Sequence, residues 1–155
     1  MVRLLLHRHE EAEPAGDFGD ALRGLTPEGR RRMYAQAQGL AEPLATLDVL
    51  YTSPLVRAVQ TAEILAQALD PALPVVAHPT VLNPPSMERL LSVLGSRPSP
   101  NHLVAMVGHE PTLSRLLHHL LKDEFIGFRT GQGILLAFEP QGWRIEASFR
   151  GGERI

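Results

Sequence analysis

The sequence predicts an α/β protein, a layered fold with a largely parallel central sheet flanked by helices. Three observations carry that expectation. Short apolar runs alternate with longer stretches of helical periodicity along the chain, the pattern that yields strands joined by helical crossovers. The first run, Val2 to Leu6, is apolar apart from Arg3 rather than alternating, as strands buried on both faces are. Two of the helical stretches open on a hydroxyl residue followed by proline, Thr26-Pro27 and Ser53-Pro54, a pairing that caps a helix and preorganises its first turn.

Taken in order, Val2 to Leu6 predicts the first strand, and the acidic, glycine-containing stretch 10–25 reads as a loop. A helix is expected from Thr26 to about Leu44, then a short strand over Asp48 to Thr52. Ser53-Pro54 opens a second helix reaching about Leu69, which places Arg57 in its first turn. The prolines between Asp70 and Thr80 allow a connection with a short extended Val75-Val76 piece, and Ser86 to Leu94 has weak helical periodicity. Leu103 to Val107 predicts a further strand, and Glu110-Pro111-Thr112 opens an amphipathic helix ending near Leu121. Ile134 to Phe138, a Pro140-Gln141-Gly142 turn and Trp143 to Phe149 read as a terminal hairpin.

Composition narrows the functional classes. A chain of 155 residues fits one domain, 1–155, with a core of its own. Its 44% hydrophobic and 21% charged content is that of a globular protein, and a net charge of −2 lacks the basic excess of a nucleic-acid binder. With no cysteine, disulfides, thiolate metal sites and cysteine nucleophiles are excluded. The amino terminus has no long apolar segment with a cleavage site, so a cytoplasmic protein without a membrane span is expected. Fourteen arginines against the single Lys122 fit either a nucleotide bias or a hot habitat.

The chemistry-bearing residues cluster at predicted strand ends. Arg8-His9 follows the first strand, Gly108-His109 follows the strand 103–107, and Arg57 lies just past the strand 48–52. Ligands of open α/β sheets gather at carboxyl ends of strands, and two imidazoles with two guanidiniums suit a phosphoryl group.

Those residues also resemble a family. Leu6-His7-Arg8-His9-Glu10-Glu11-Ala12 is similar to the amino-terminal Arg-His signature of the histidine phosphatase superfamily, the phosphoglycerate-mutase-like group. Ser53 to Thr61 resembles its Ser-Pro-x-x-Arg-Ala-x-Gln-Thr segment, and Val107-Gly108-His109 its second histidine. Arg23-Gly24-Leu25-Thr26-Pro27-Glu28-Gly29 and Arg129-Thr130-Gly131 extend the likeness to small SixA-type phosphohistidine phosphatases. The resemblance implies a phosphoglycerate-mutase-like fold and a hydrolase that needs no cofactor or metal. His9 would be the nucleophile, Arg8, Arg57 and His109 would surround the phosphoryl oxygens, and Arg23, Thr130 and Gly131 would line the rim.

The chain departs from the family at two places. Glu10 stands where a small residue usually follows the nucleophile, and Val81-Leu82-Asn83-Pro84-Pro85 lacks the carboxylate that larger relatives use as general acid. Glu10 and Glu88 are the remaining candidate acids. Protonated phosphohistidine departs as neutral imidazole and needs less help than an alkoxide, so a phosphohistidine-bearing signalling or phosphorelay protein is the expected substrate. A small phosphorylated metabolite, such as a sugar or nucleotide phosphate, is the enzymatic alternative; a non-catalytic phosphate-binding module is the other.

Three further features have simpler readings. His7-x-His9 has metal-ligand spacing, but a buried structural role is expected for His7. His118-His119 suits the carboxyl end of a helix. Arg30-Arg31-Arg32 is most simply a solvated helix face, with docking of an acidic partner as the alternative.

Overall fold

A computed structural model describes residues 1–122 and 125–155. The strands are β1 (Arg3–Arg8), β2 (Val49–Thr52), β3 (Val75–Ala77), β4 (Leu103–Gly108), β5 (Gln132–Glu139), β6 (Gly142–Arg150) and β7 (Glu153–Arg154). The helices are α1 (Pro27–Leu40), α2 (Val56–Leu69), α3 (Pro79–Leu82), α4 (Met87–Leu94) and α5 (Thr112–Leu121), with a 3-10 turn at Asp20–Leu22.

All seven strands join one sheet in the order β3-β2-β4-β1-β5-β6-β7. Strands β3, β2, β4 and β1 run parallel, while β5, β6 and β7 add an antiparallel side. Arg8 of β1 pairs with Gly108 of β4, and Thr52 of β2 pairs with Val107. Parallel pairing in this register brings the carboxyl ends of β1, β2 and β4 together.

Side chains alternate between two cores, as a pleated strand requires. Leu5, Leu50, Ala105 and Val107 pack with Met33 and Leu40 of α1 and Ala58 and Leu65 of α2. Leu4, Leu6, Tyr51 and Met106 pack on the opposite face with Leu90 and Leu94 of α4 and Leu113, Leu116 and Leu117 of α5. The sheet is thus covered on both faces, which explains why its central strands read as unbroken apolar runs. Truncating one of these buried leucines to alanine costs about 2–5 kcal/mol.

Helix boundaries differ from the expected ones for local reasons. Thr26 caps α1 as expected, its hydroxyl accepting from the Gly29 N–H at 2.8 Å. The helix ends at Leu40 rather than near Leu44, because Pro43 lacks an N–H and disfavours helical backbone at Glu42. Ser53 is not the cap of α2; Leu55 holds that position without a side-chain bond. The Ser53 hydroxyl is instead engaged by His109 at 2.5 Å, while also accepting from Leu55 N–H at 3.2 Å. Ser86 caps α4 through the Arg89 N–H at 3.0 Å. Neither the single-turn α3 nor β7 has a sequence signal long enough to predict it. None of the described helices is long and apolar enough to cross a membrane.

Candidate active site

The loop 13–24 is closed at its base by a bridge between Ala12 and Leu25. Gln60, on α2, accepts from Leu25 N–H at 2.7 Å. The neighbouring Thr61 hydroxyl accepts from Glu10 N–H at 3.2 Å and donates to the Arg57 carbonyl at 2.9 Å. The Gln-Thr end of the Ser53-to-Thr61 segment therefore fastens both the loop and the chain just after β1 to one helix.

Within this frame Arg8, His9, Arg57 and His109 line a cavity of about 470 Å³ together with Arg23, Arg32, Thr130 and Arg150. The His9 and His109 rings lie 5.0 Å apart between centroids. His9 Nδ1 is 2.7 Å from the Glu10 carbonyl. A carbonyl can only accept, so Nδ1 carries the proton and Nε2 keeps its lone pair. Burial, reinforced by the charges of Arg57, Arg8 and Arg23, lowers the His9 pKa to about 4 even though the carbonyl contact opposes the shift. The ring is consequently neutral near pH 7, the state in which imidazole is nucleophilic.

His109 is tuned the same way, to about 4, by burial and then by His9 and Arg57. Its Nε2 is hydrogen-bonded to the Ser53 hydroxyl. Two buried side-chain atoms among the described residues lack a hydrogen-bond partner, His109 Nδ1 and Arg8 Nε. Both belong to residues of this cavity.

Each guanidinium is held by a specific acceptor. Arg8 donates through Nη1 to the Phe128 carbonyl at 2.8 Å. Phe128 is fixed in turn by its N–H, which donates to Glu110 Oε2 at 3.1 Å. Arg57 donates through Nη1 to the Asp20 carbonyl at 3.0 Å and through Nη2 to Asp20 Oδ2 at 3.2 Å. Arg23 donates to the other carboxylate oxygen of Asp20 at 3.0 Å. The hydrogen bond from Arg23, followed by the charge of Arg57, holds the Asp20 carboxyl below the usual range.

The other expected residues fall in different places. Arg23 and Thr130 line the cavity. Gly131 donates its N–H to the His9 carbonyl at 3.0 Å. Its φ is positive, at 73°, and a Cβ there would also overlap the Glu10 carboxyl. Glu10 is only 2% exposed and lines a second cavity rather than the one around His9. Its pKa is raised, mainly by burial. The Glu88 side chain is 75% exposed and its nearest titratable partner is His119, at 4.0 Å.

His7 is wholly buried, with Nδ1 at 2.8 Å from the Arg8 carbonyl and Nε2 at 3.1 Å from the Gln36 amide. Both ring nitrogens are thus engaged. Sequence reasoning missed the roles of Asp20, Glu110 and Ser53. Ser53 carried a readable signal, its place in the Ser53-to-Thr61 segment, whereas Asp20 and Glu110 had none.

The layered α/β fold places a cavity lined by two histidines and several arginines at the carboxyl ends of its parallel strands. The chain belongs to the histidine phosphatase superfamily (branch 1), whose family model matches residues 4–81. An uncharacterised protein of Picosynechococcus is 35% identical over 154 residues, covering 88% of this chain and 90% of its own. A candidate phosphohistidine phosphatase SixA from Agrobacterium tumefaciens has a similar structure, with a TM-score of 0.80 at 24% identity, covering 96% of this chain and 97% of that one. The protein histidine phosphatase SixA in complex with tungstate gives a TM-score of 0.81 at 17% identity over the same shares. At these identities the structural likeness is one of fold.

Proposed function

We propose that the protein is a metal-independent phosphatase that acts through phospho-His9 and removes the phosphoryl group from phosphohistidine in a signalling or phosphorelay protein. The observation that carries this reading is a neutral His9, its Nδ1 proton committed to a carbonyl, in a cavity that it shares with Arg8, Arg57 and His109. The likeness to SixA folds supports the same choice of substrate.

In the first step His9 Nε2 attacks phosphorus and the bond from phosphorus to the substrate nitrogen breaks. The substrate ring enters protonated on its other nitrogen, so the departing electron pair leaves neutral imidazole. Water then attacks phosphorus, the bond to Nε2 breaks with its electron pair returning to the His9 ring, and the water proton passes to solvent. Arg8, Arg57 and His109 supply the positive charge that spreads over the phosphoryl oxygens in a loose transition state.

Carboxyls around the cavity support an N-linked leaving group. Glu110 accepts from the N–H groups of Ser114 and Phe128 and from the Ser114 hydroxyl. Glu11 accepts from the Thr26 hydroxyl and pairs with Arg32. Asp20 is held ionised by two arginines. Each is already engaged by neighbouring donors, an arrangement that suits a leaving group needing no general acid. A cytoplasmic location belongs to this reading, as the expected site of a phosphorelay partner.

The test is a rapid-quench experiment with a labelled phosphohistidine donor, alongside sugar and nucleotide phosphates. An acid-labile adduct on His9 that decays to inorganic phosphate is expected, with His9→Ala forming none. Full activity in His9→Ala overturns the mechanism, and turnover confined to the phosphomonoesters overturns the substrate.

A further inference from the structure

Arg32 and Arg150 line the cavity around His9 and also the adjoining cavity of about 410 Å³, so they stand where the two meet. Among the described residues neither is hydrogen-bonded to His9 or His109. Arg150, at the end of β6, donates through Nε to the Thr130 carbonyl at 2.9 Å. Among the described residues no carboxylate pairs with its guanidinium. Arg32, on α1, has only long, exposed contacts, at 3.4 Å to both Glu11 and Glu28. Exposed pairs of that length are weak and readily exchanged. The centre at His9 already contains Arg8 and Arg57 for one phosphoryl group, so the junction holds cationic capacity beyond what that group uses.

Building on the phosphohistidine reading, we infer that Arg32 and Arg150 form a second anion subsite that receives an acidic side chain flanking the phosphorylated residue of a polypeptide substrate. Two observations favour a polypeptide over a small doubly charged metabolite. The subsite opens into a further cavity instead of ending in a wall, leaving a path for chain to continue past Arg129. On the loop that carries Asp20, Phe18 is 84% exposed and Leu22 59% exposed. Large apolar side chains left in solvent beside a charged cleft are typical of surfaces that meet a partner. Glu10 and Glu153 also line the second cavity, and the buried Glu10 carboxyl has its pKa raised, mainly by burial.

The experiment compares two phosphohistidine peptides of equal length, one with Asp or Glu on both sides of the phosphorylated residue and one with Ser there. The wild-type protein is expected to prefer the acidic peptide by about tenfold in kcat/KM, mostly through KM, with the preference shrinking as salt rises. The ratio is expected to fall to about one in Arg32→Gln/Arg150→Gln, with thermal melting and circular dichroism confirming that the variant is folded. If melting shows the double variant unfolded, Arg150→Gln alone supplies the comparison, and a retained preference there overturns the role of Arg150. Turnover of both peptides with a ratio near one in the wild type, or a ratio unchanged by the substitutions, overturns the subsite. No turnover of either peptide overturns the phosphohistidine reading itself, and the subsite with it.

Discussion

The carboxylate of Asp20 lies in the fork of Arg57, with Nη2 at 3.2 Å from Oδ2 and Nη1 at 3.0 Å from the Asp20 carbonyl. Its second oxygen is shared with Arg23. A phosphoryl group that uses the same fork has to displace this internal anion. Asp20→Ala is therefore expected to bind inorganic phosphate more tightly, by up to about fivefold given the modest strength of an exposed pair. Product-inhibition constants measure this directly. Weaker inhibition in the variant assigns Asp20 the opposite role, that of holding Arg57 in position.

Arg57 is buried at the second position of α2, where its backbone carbonyl is fixed by Thr61. Lysine keeps the charge but loses the planar two-pronged donor. Arg57→Lys is expected to lower kcat/KM by about 10- to 100-fold with little change in melting temperature. An unchanged rate removes Arg57 from the phosphate-binding set.

The histidines set the pH response. His9 and His109 are both neutral down to about 4, so the acid limb of kcat/KM is expected near pH 4 rather than near 6.5. A limb near 6.5 contradicts the buried, arginine-flanked environment. Stability follows the same sign. His7 has a folded pKa of about 4 against 6.5 in the unfolded chain, so between those values the unfolded state binds more protons. Its contribution is complete above about pH 6.5 and is lost as the pH falls towards 4, on the order of 3 kcal/mol. Denaturant melts at pH 7.5, 5.5 and 4 test it, with a shallower loss expected in His7→Gln.

Gly131 combines a left-handed φ of 73° with contact against the Glu10 carboxyl. Gly131→Ala is expected to destabilise the protein by about 1–3 kcal/mol. Adding Glu10→Ala removes the overlap but leaves the backbone strain, so a partial recovery is expected in the double variant. Complete recovery places the whole cost in the overlap.

Much of this arrangement was legible from local signals. The apolar runs at β1 and β4 and the Thr26-Pro27 start of α1 each reflect physics contained in a few adjacent residues. Parallel strands then place Arg8, His9 and His109 at one edge, and Arg57 joins them because α2 follows β2 there. Asp20 was not legible, since a carboxylate in an exposed loop gives no sign of folding back on an arginine. Arg150 reaches the cavity from the antiparallel side of the sheet, a pairing fixed by the return of the hairpin and its bulge at Leu135/Leu136. Ser53 was readable as a cap only because its partner, His109, lies 56 residues away.

The pairing of Arg8 with Gly108 has a consequence for the birth of the protein. The strand that brings His109 beside His9 is made about a hundred residues after His9 itself. Long-range parallel pairing is slow to form, and chains emerge at about 5–20 residues per second. For several seconds of synthesis the nascent chain carries a histidine without its companion. The cavity that both histidines line is completed late, when β4 slots between β1 and β2.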